Sequence, residues 1–273
     1  MTHAVRGSTT VAGVIGDPIA HSRSPEIHNA AYAALGLDWV FVAFPTPAGS
    51  GAAALDAVRA LGIAGLSVTM PHKHDAVGAC DELSETATRL GVVNAVCNRD
   101  GRLVGDSTDG EGFLRAMADA DVDASDAEVV VFGAGGAGRA IVCALGDAGA
   151  HVNVVARRAE AAHDAAALAP GGAGHTLEDL GAALEGCDVL VNATPLGMRG
   201  EDIPVADESL AGLRLVFDTV YGSTTTPLVT RASKLGVTAV DGIGMLVHQA
   251  ALAFEMFTGR AAPIDAMRAA ASA

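Results

Sequence analysis

The stretch "VVVFGAGGAGRA" sets Gly133, Gly135 and Gly138 at the spacing Gly-x-Gly-x-x-Gly, directly after an apolar run and directly before a helical one. The first glycine permits a tight turn and the second lets backbone approach a pyrophosphate. The third lets the helix pack on the strand, and the helix N-terminus then meets the anion. In this setting the loop reads as a dinucleotide site rather than an ordinary strand–helix turn. The next strand ends "NVVARRAE", where a site for NAD would carry an acid to bond the ribose 2′-hydroxyl. Ala156-Arg157-Arg158 stands there instead. Two guanidiniums suit a 2′-phosphate through paired, charge-assisted hydrogen bonds, so NADP is the expected cofactor. The plainer alternative is that one or both arginines face solvent.

A second set of polar groups comes earlier in the chain. "HSRSPEIHNAAYAALG" (21–36) reads as helix punctuation, with Ser24 as N-cap, Pro25 at the first position and Gly36 at the stop. Ser22 and Ser24 also set two hydroxyls beside a helix N-terminus, where a carboxylate is favoured. Asp109, in "GDSTDGEGF" (105–113), is expected to cap the next helix. Lys73 is conspicuous in "SVTMPHKHD" (67–75): the chain has two lysines, Lys73 and Lys234, against fifteen arginines. His72 and His74 flank it with no cysteine or His-Glu-x-x-His nearby, which argues against a metal site.

The elements that must position these groups alternate. Strand-like "VAGVIG" (11–16), "WVFVAFP" (39–45) and "IAGLSVT" (63–69) are separated by helices after Pro25 and across 51–61. "ELSETATRLG" (82–91) is helix-like, and Asp100-Gly101 reads as a hairpin turn. After the acidic stretch "DADVDASDAE" (119–128), the best linker by composition, a second pattern begins. Its strands are "EVVVF" (128–132), "HVNVVA" (151–156), "CDVLVNA" (187–193) and "LRLVFDTV" (213–220), a doubly wound α/β arrangement. "GMLVHQAALAFEMFTG" (244–259) is helical, with an apolar stripe at Met245, Leu252 and Met256. Gln249 falls on that stripe, as a core glutamine bonded to backbone or as one facing a ligand.

The 273 residues suffice for two modest domains. A net charge of −15 argues against nucleic acid as a partner. No apolar run approaches a membrane span, and nothing reads as a secretory signal, so a soluble cytoplasmic chain is expected. Cys80, Cys97, Cys143 and Cys187 are far apart, which points to buried thiols rather than a zinc site or disulfide frame.

The order of motifs resembles the shikimate dehydrogenase family across almost the whole chain. The motifs are Ser22-Arg23-Ser24-Pro25, Val68-Thr69-Met70-Pro71-His72-Lys73, Gly91 to Asn94, Thr108-Asp109-Gly110, the glycine loop 133–137, Asn192-Ala193-Thr194, and Asp241 to Gln249. Each alone is weak; seven in one order are specific. The resemblance implies an α/β chain of two domains. Residues 1–109, rejoined by the C-terminal helices of 243–273, would form the substrate domain, and 110–242 a Rossmann NADP domain. It implies NADPH-dependent reduction of 3-dehydroshikimate to shikimate, with a small-molecule partner, neither nucleic acid nor membrane, and a monomer or homodimer.

The family's roles then fall on particular residues. Lys73 and Asp109 would be the catalytic pair. Ser22, Ser24 and Thr69 would hold the substrate carboxylate and ring hydroxyls, with Asn94, Asp109, Gln249 and Tyr221 on the remaining ring groups. Gly133, Ala134, Gly135, Gly136, Ala137, Arg157 and Arg158 would bind the cofactor, with Thr219 and Gly242 near the nicotinamide and Glu85 at the edge. A ring ketone being reduced needs a proton delivered to the emerging alkoxide. Lysine can give one up and arginine cannot, which accounts for a lysine here in an arginine-using chain. Three positions depart from the family: Ser67 and Ser107 replace asparagines, and Ala156-Arg157-Arg158 replaces Asn-Arg-Thr/Ser. The nearest rival is a quinate or dual quinate/shikimate dehydrogenase; a non-catalytic ligand-sensing module is the rival of another class.

Overall fold

The computed structural model describes residues 5–222 and 224–273. They form two compact units: the chain up to Thr108 together with Val247–Ala273, and the continuous stretch Asp109–Leu246. The chain thus leaves the first unit once and returns to it once. The acidic 119–128 stretch is no linker. It lies within the second unit, where Val122, Ala124 and Ala127 are buried among the core residues while the intervening acids and Ser125 face water.

The first unit begins β1 (Thr10–Gly16), α1 (Ser24–Ala34), β2 (Trp39–Pro45), α2 (Gly51–Leu61) and β3 (Gly65–Val68). It continues with α3 (Asp75–Ala79), β4 (Glu82–Leu83), α4 (Glu85–Leu90), β5 (Ala95–Arg99) and β6 (Arg102–Asp106). Its sheet has the order β2-β1-β3-β5-β6-β4. β1 pairs with β2 and β3 in parallel, as right-handed strand–helix–strand units require. β5 then runs antiparallel to both β3 and β6. The turn between β5 and β6 is the expected hairpin, with Asp100 and Gly101 at φ 53° and 89°, the positive pair that Asp-Gly supplies. The helix-like 82–91 segment splits: Glu82-Leu83 lies beside β6, and α4 starts only after Ser84, whose hydroxyl accepts from Ala87 N at 3.0 Å.

The second unit holds α5 (Asp109–Ala118), β7 (Glu128–Phe132), α6 (Gly136–Asp147), β8 (His151–Val155), α7 (Ala159–Ala166), β9 (Ala173–His175) and α8 (Leu180–Ala183). β10 (Val189–Asn192), α9 (Asp207–Leu210), β11 (Leu215–Asp218), α10 (Pro227–Lys234) and β12 (Thr238–Val240) complete its sheet. The order β12-β11-β10-β7-β8-β9 is parallel throughout, a doubly wound sheet whose order reverses beside β7. Alternation along β7 explains why its valines are continuous: Val129 and Val131 face one core layer, Val130 and Phe132 the other.

α11 (Ile243–Thr258) and α12 (Ile264–Ala271) end the chain. The expected stripe on α11 is only partly right. Met245 is buried, but Leu252 and Met256 are half-buried, and the inward face is Val247, Ala250, Ala251 and Phe254. Small alanines flanking one large ring make that contact, so the spacing of the larger side chains misleads. In the first unit Phe257 lies over β3, where a Cβ on Gly65 would come within 2.3 Å of its ring. No helix among the described residues is long and apolar enough to cross a membrane.

His28 on α1 is wholly buried, stacked on Phe41 at 4.1 Å and bordered by Phe254 and Phe257. Neither ring nitrogen has a hydrogen-bond partner among the described residues. Desolvation pushes its pKa down from 6.5 to about 3. The folded state therefore binds this proton more weakly than the unfolded chain. Stability is whole above pH 6.5 and falls as the pH drops from there toward 3. At pH 5 the loss is about 2 kcal/mol. Denaturant melts at pH 7.5 and 5.0 are expected to show wild type losing that much more than His28→Leu; parallel losses in the two proteins would refute it.

Candidate active site

The direction of β5 gathers the polar groups of the first unit. β1, β3 and β6 run the same way and β5 the opposite way, so the ends of β1, β3 and β6 and the start of β5 share one sheet edge. Leaving that edge are the segments that carry Ser22 and Ser24, Thr69 and Lys73, Asn94, and Thr108.

Ser24 is the first residue of α1 rather than its cap. Arg23 occupies the cap position, and Ser22 Oγ accepts from Ser24 N at 3.3 Å. Ser24 is buried and Ser22 half-buried. Thr69 N donates to Ile15 O at 3.0 Å, and a Cβ on Gly16 would fall 2.5 Å from Thr69 Cγ2, so β1 must end in glycine for this loop to seat. Lys73 is half-buried, with its carbonyl accepting from Val93 N at 2.9 Å.

Asn94 is buried and clasps Thr108 at both ends of its amide. Oδ1 accepts from Thr108 N at 2.7 Å and Nδ2 donates to Thr108 Oγ1 at 3.0 Å. Thr108 Oγ1 in turn donates to Gln249 O at 3.2 Å, which fixes α11 at the same edge. Gln249 is half-buried, so it is not a closed-core glutamine. Thr108 is a positioning residue that sequence reading passed over. It stood inside the Thr-Asp-Gly motif, but its partners are 14 and 141 residues away in the chain. At the two departures from the family, Ser67 is buried on β3, and the Ser107 hydroxyl is buried without a hydrogen-bond partner among the described residues. Glu85 is exposed in the first turn of α4, within this unit.

In the second unit Asp109 is the first residue of α5, buried, one position later than a cap. The glycine loop joins β7 to α6 at the point where strand order reverses. Gly133 has φ 122°, a conformation that favours glycine. A Cβ on Gly138 would strike Gly133 O at 2.1 Å, so the third glycine is what lets the helix close on the turn. Gly135 caps α6, and a Cβ there would meet nothing within 4 Å, leaving open space over the helix N-terminus. Gly136 and Ala137 open the helix behind it. Arg157 and Arg158 follow β8 and are exposed; neither is held by a carboxylate among the described residues. Open backbone at a helix N-terminus plus two available guanidiniums fits a pyrophosphate and a 2′-phosphate, the two anionic parts of NADP.

Thr219 and Gly242 touch closely: a Cβ on Gly242 would lie 2.1 Å from Thr219 O. Tyr221 is half-buried just beyond. A buried network steadies these loops. Asp218 accepts from Asn192 Nδ2 at 2.8 Å, Val220 N at 3.0 Å and Thr226 Oγ1 at 2.6 Å. Asn192 Oδ1 accepts from Thr194 Oγ1 at 2.7 Å, and Nδ2 also donates to Leu196 O at 2.9 Å. Burial pushes the Asp218 carboxyl above its usual range, against donors that favour the charged form. Of this network only Asn-Ala-Thr was visible as a motif. No group of three or more His, Cys, Asp or Glu suited to a metal occurs among the described residues.

Residues 14–96 match the family model of the shikimate dehydrogenase substrate binding domain, and residues 242–271 that of the shikimate 5′-dehydrogenase C-terminal domain. The shikimate dehydrogenase (NADP(+)) of Halorubrum lacusprofundi is 44% identical over 267 residues, covering 95% of this chain and 97% of the relative. A crystal structure of a shikimate dehydrogenase in complex with NADP+ superposes with a TM-score of 0.92 at 32% identity, covering 98% of this chain and 96% of the other. Another, from Thermus thermophilus in complex with NADP(H) and shikimate, gives 0.87 at 34% identity, covering 96% and 98%. Motif order, the sheet edge with its hydroxyls and amine, the doubly wound unit and full-length likeness agree, and the chain belongs to the shikimate dehydrogenase family.

Proposed function

We propose that the chain reduces 3-dehydroshikimate to shikimate with NADPH, in the pathway to the aromatic amino acids. The observation that carries this reading is the gathering of Ser22, Ser24, Thr69, Lys73 and Asn94 at one sheet edge: hydroxyls, an amide and an ammonium matched to a hydroxylated ring acid. The names and ligands of the relatives supply the ring's identity. In this reading residues 1–109 with 243–273 form the substrate domain and 110–242 the cofactor domain. The four cysteines form no disulfide with one another, which suits a reducing compartment such as the cytoplasm.

Bound NADPH supplies the hydride. Ser22 and Ser24, at the N-terminus of α1, take the carboxylate. Thr69, Asn94, Gln249 and Tyr221 bond ring hydroxyls. Lys73 sets positive charge at the oxygen that becomes an alkoxide and passes it a proton, with Asp109 as its catalytic partner. Gly133, Ala134, Gly135, Gly136 and Ala137 receive the pyrophosphate, Arg157 and Arg158 the 2′-phosphate. Thr219 and Gly242 lie at the nicotinamide, and Glu85 at the margin.

Turnover of shikimate and of quinate, each with NADP+ and with NAD+, tests the reading. Shikimate with NADP+ is expected to give the highest kcat/KM. A preference for quinate or for NAD+ would transfer the chain to the quinate dehydrogenase reading. No turnover with any pair would leave a binding module.

A further inference from the structure

His72 is wholly buried, although its neighbour Lys73 is only half-buried. Its Nε2 lies 2.8 Å from the carbonyl oxygen of Thr46, just past the end of β2. A carbonyl only accepts, so Nε2 carries a hydrogen and donates it. On the other side of the ring, Nδ1 lies 3.3 Å from Oδ2 of Asp75, the first residue of α3. The two contacts together bridge the β2–α2 connection, through the imidazole, to α3.

Space for that bridge is cut into the fold. α2 begins with Gly51, and a Cβ there would fall 2.9 Å from both His72 Nδ1 and Asp75 Oδ2. Any other residue at this point would press on the pair.

The segment so held is the one that carries Lys73. Its start is tied to β1 through Thr69 N to Ile15 O and Asp17 N to Met70 O, both 3.0 Å. Its end is tied through Val93 N to Lys73 O at 2.9 Å. Between those ties His72, one residue from the lysine, anchors its ring on Thr46 O and on the Asp75 carboxylate. A lysine has a flexible stem, so the place of its ammonium depends on how firmly its Cα is fixed. A misplacement of about 1 Å from a mutation away from the chemistry can cost about 10²-fold in rate.

We infer that His72, with Asp75, is a positioning residue for Lys73: the imidazole bridge between Thr46 O and the Asp75 carboxylate holds the segment so that the lysine meets the reacting oxygen. This rests on Lys73 acting as in the proposed function. Ser22, Ser24 and Asn94 are mounted on other elements, and Thr69 is tied directly to β1 through Ile15 O, so substrate affinity is expected to depend little on the bridge. The signature is a loss in kcat without a matching rise in KM, which general loosening of the substrate edge would not produce.

The test begins with wild-type turnover of shikimate with NADP+. His72→Leu, which keeps bulk and removes both hydrogen bonds, is expected to lower kcat by about 10–100-fold with KM for shikimate within about threefold. Asp75→Ala, at a half-open position where folding is not at stake, is expected to show a smaller loss of the same kind. Asp75→Asn, which keeps an oxygen to face Nδ1, is expected to restore most of it. Thermal melts check that each variant is folded. Should His72→Leu fail to fold, the Asp75 pair decides. Near wild-type kcat in the folded variants, or a rise in KM as large as the fall in kcat, overturns the inference alone. Absence of turnover in the wild type overturns the functional reading, and this inference with it.

Discussion

Replacing Lys73 with alanine is expected to cut turnover by about 10²–10⁴-fold, the usual worth of a positioned acid or base, while substrate binding stays largely intact. Binding should survive because its groups are mounted separately: Ser22 and Ser24 at α1, Thr69 after β3, Asn94 before β5 and Gln249 on α11. Lys73→Arg separates charge from proton transfer. Arginine keeps a cation near the oxygen but does not give up its proton. If charge alone were the contribution, arginine would recover much of the rate. The expected outcome is a variant nearly as slow as alanine. Single-turnover rates with shikimate Kd measured alongside decide it. Near wild-type turnover in both folded variants would make Lys73 an ordinary loop residue.

Arg157→Ala is expected to weaken NADPH by about tenfold to a hundredfold, the range for one charged hydrogen bond, and to leave NADH nearly unchanged. Only NADPH carries the 2′-phosphate, and Arg157 lies two residues past the end of β8, where no acid stands. Because no carboxylate engages it among the described residues, its removal strands no buried partner, and the fold should be indifferent to the change. Arg158 caps α7, one residue further on, and should show a smaller effect of the same kind. Cofactor titrations by nicotinamide fluorescence measure both. Equal weakening of the two cofactors would sink the 2′-phosphate assignment.

The parts of the molecule that were legible in sequence are those where local backbone geometry dictates residue type. Gly133 needs a positive φ and Gly138 cannot carry a Cβ, so the loop announced itself. β2 and α2 fall where alternation and helical spacing put them. Asp100-Gly101 declared a hairpin, yet nothing local told that β5 inserts beside β3 in the opposite sense, because that pairing joins Ser67 to Ala95 across two helices. The same limit hid the polar networks. Asn192 and Asp218 meet only when β10 and β11 pair. His72 looks like a loop histidine until Thr46 and Gly51, far earlier in the chain, close around it. Short apolar turns misled for a related reason: the buried positions in 119–128 are single small residues among acids, and composition averages them away.

Protein synthesis runs from the N-terminus, and the split of the first unit sets an order on it. Residues up to Thr108 leave the ribosome first, but Val247–Ala273 leave last. The whole second unit is made in between and, being continuous, has every strand of its own sheet available before α11 is complete. The domain begun first is finished last. For a period on the order of ten seconds at ordinary elongation rates, the nascent first unit lacks the helix that brings Phe254 and Phe257 to His28 and to Gly65 on β3. During that period an apolar surface stands open to water and to other chains, and His28 has lost part of its dry surroundings. The residues that cover this surface are encoded downstream of the whole second unit, so the first unit is expected to stay open until translation has passed it.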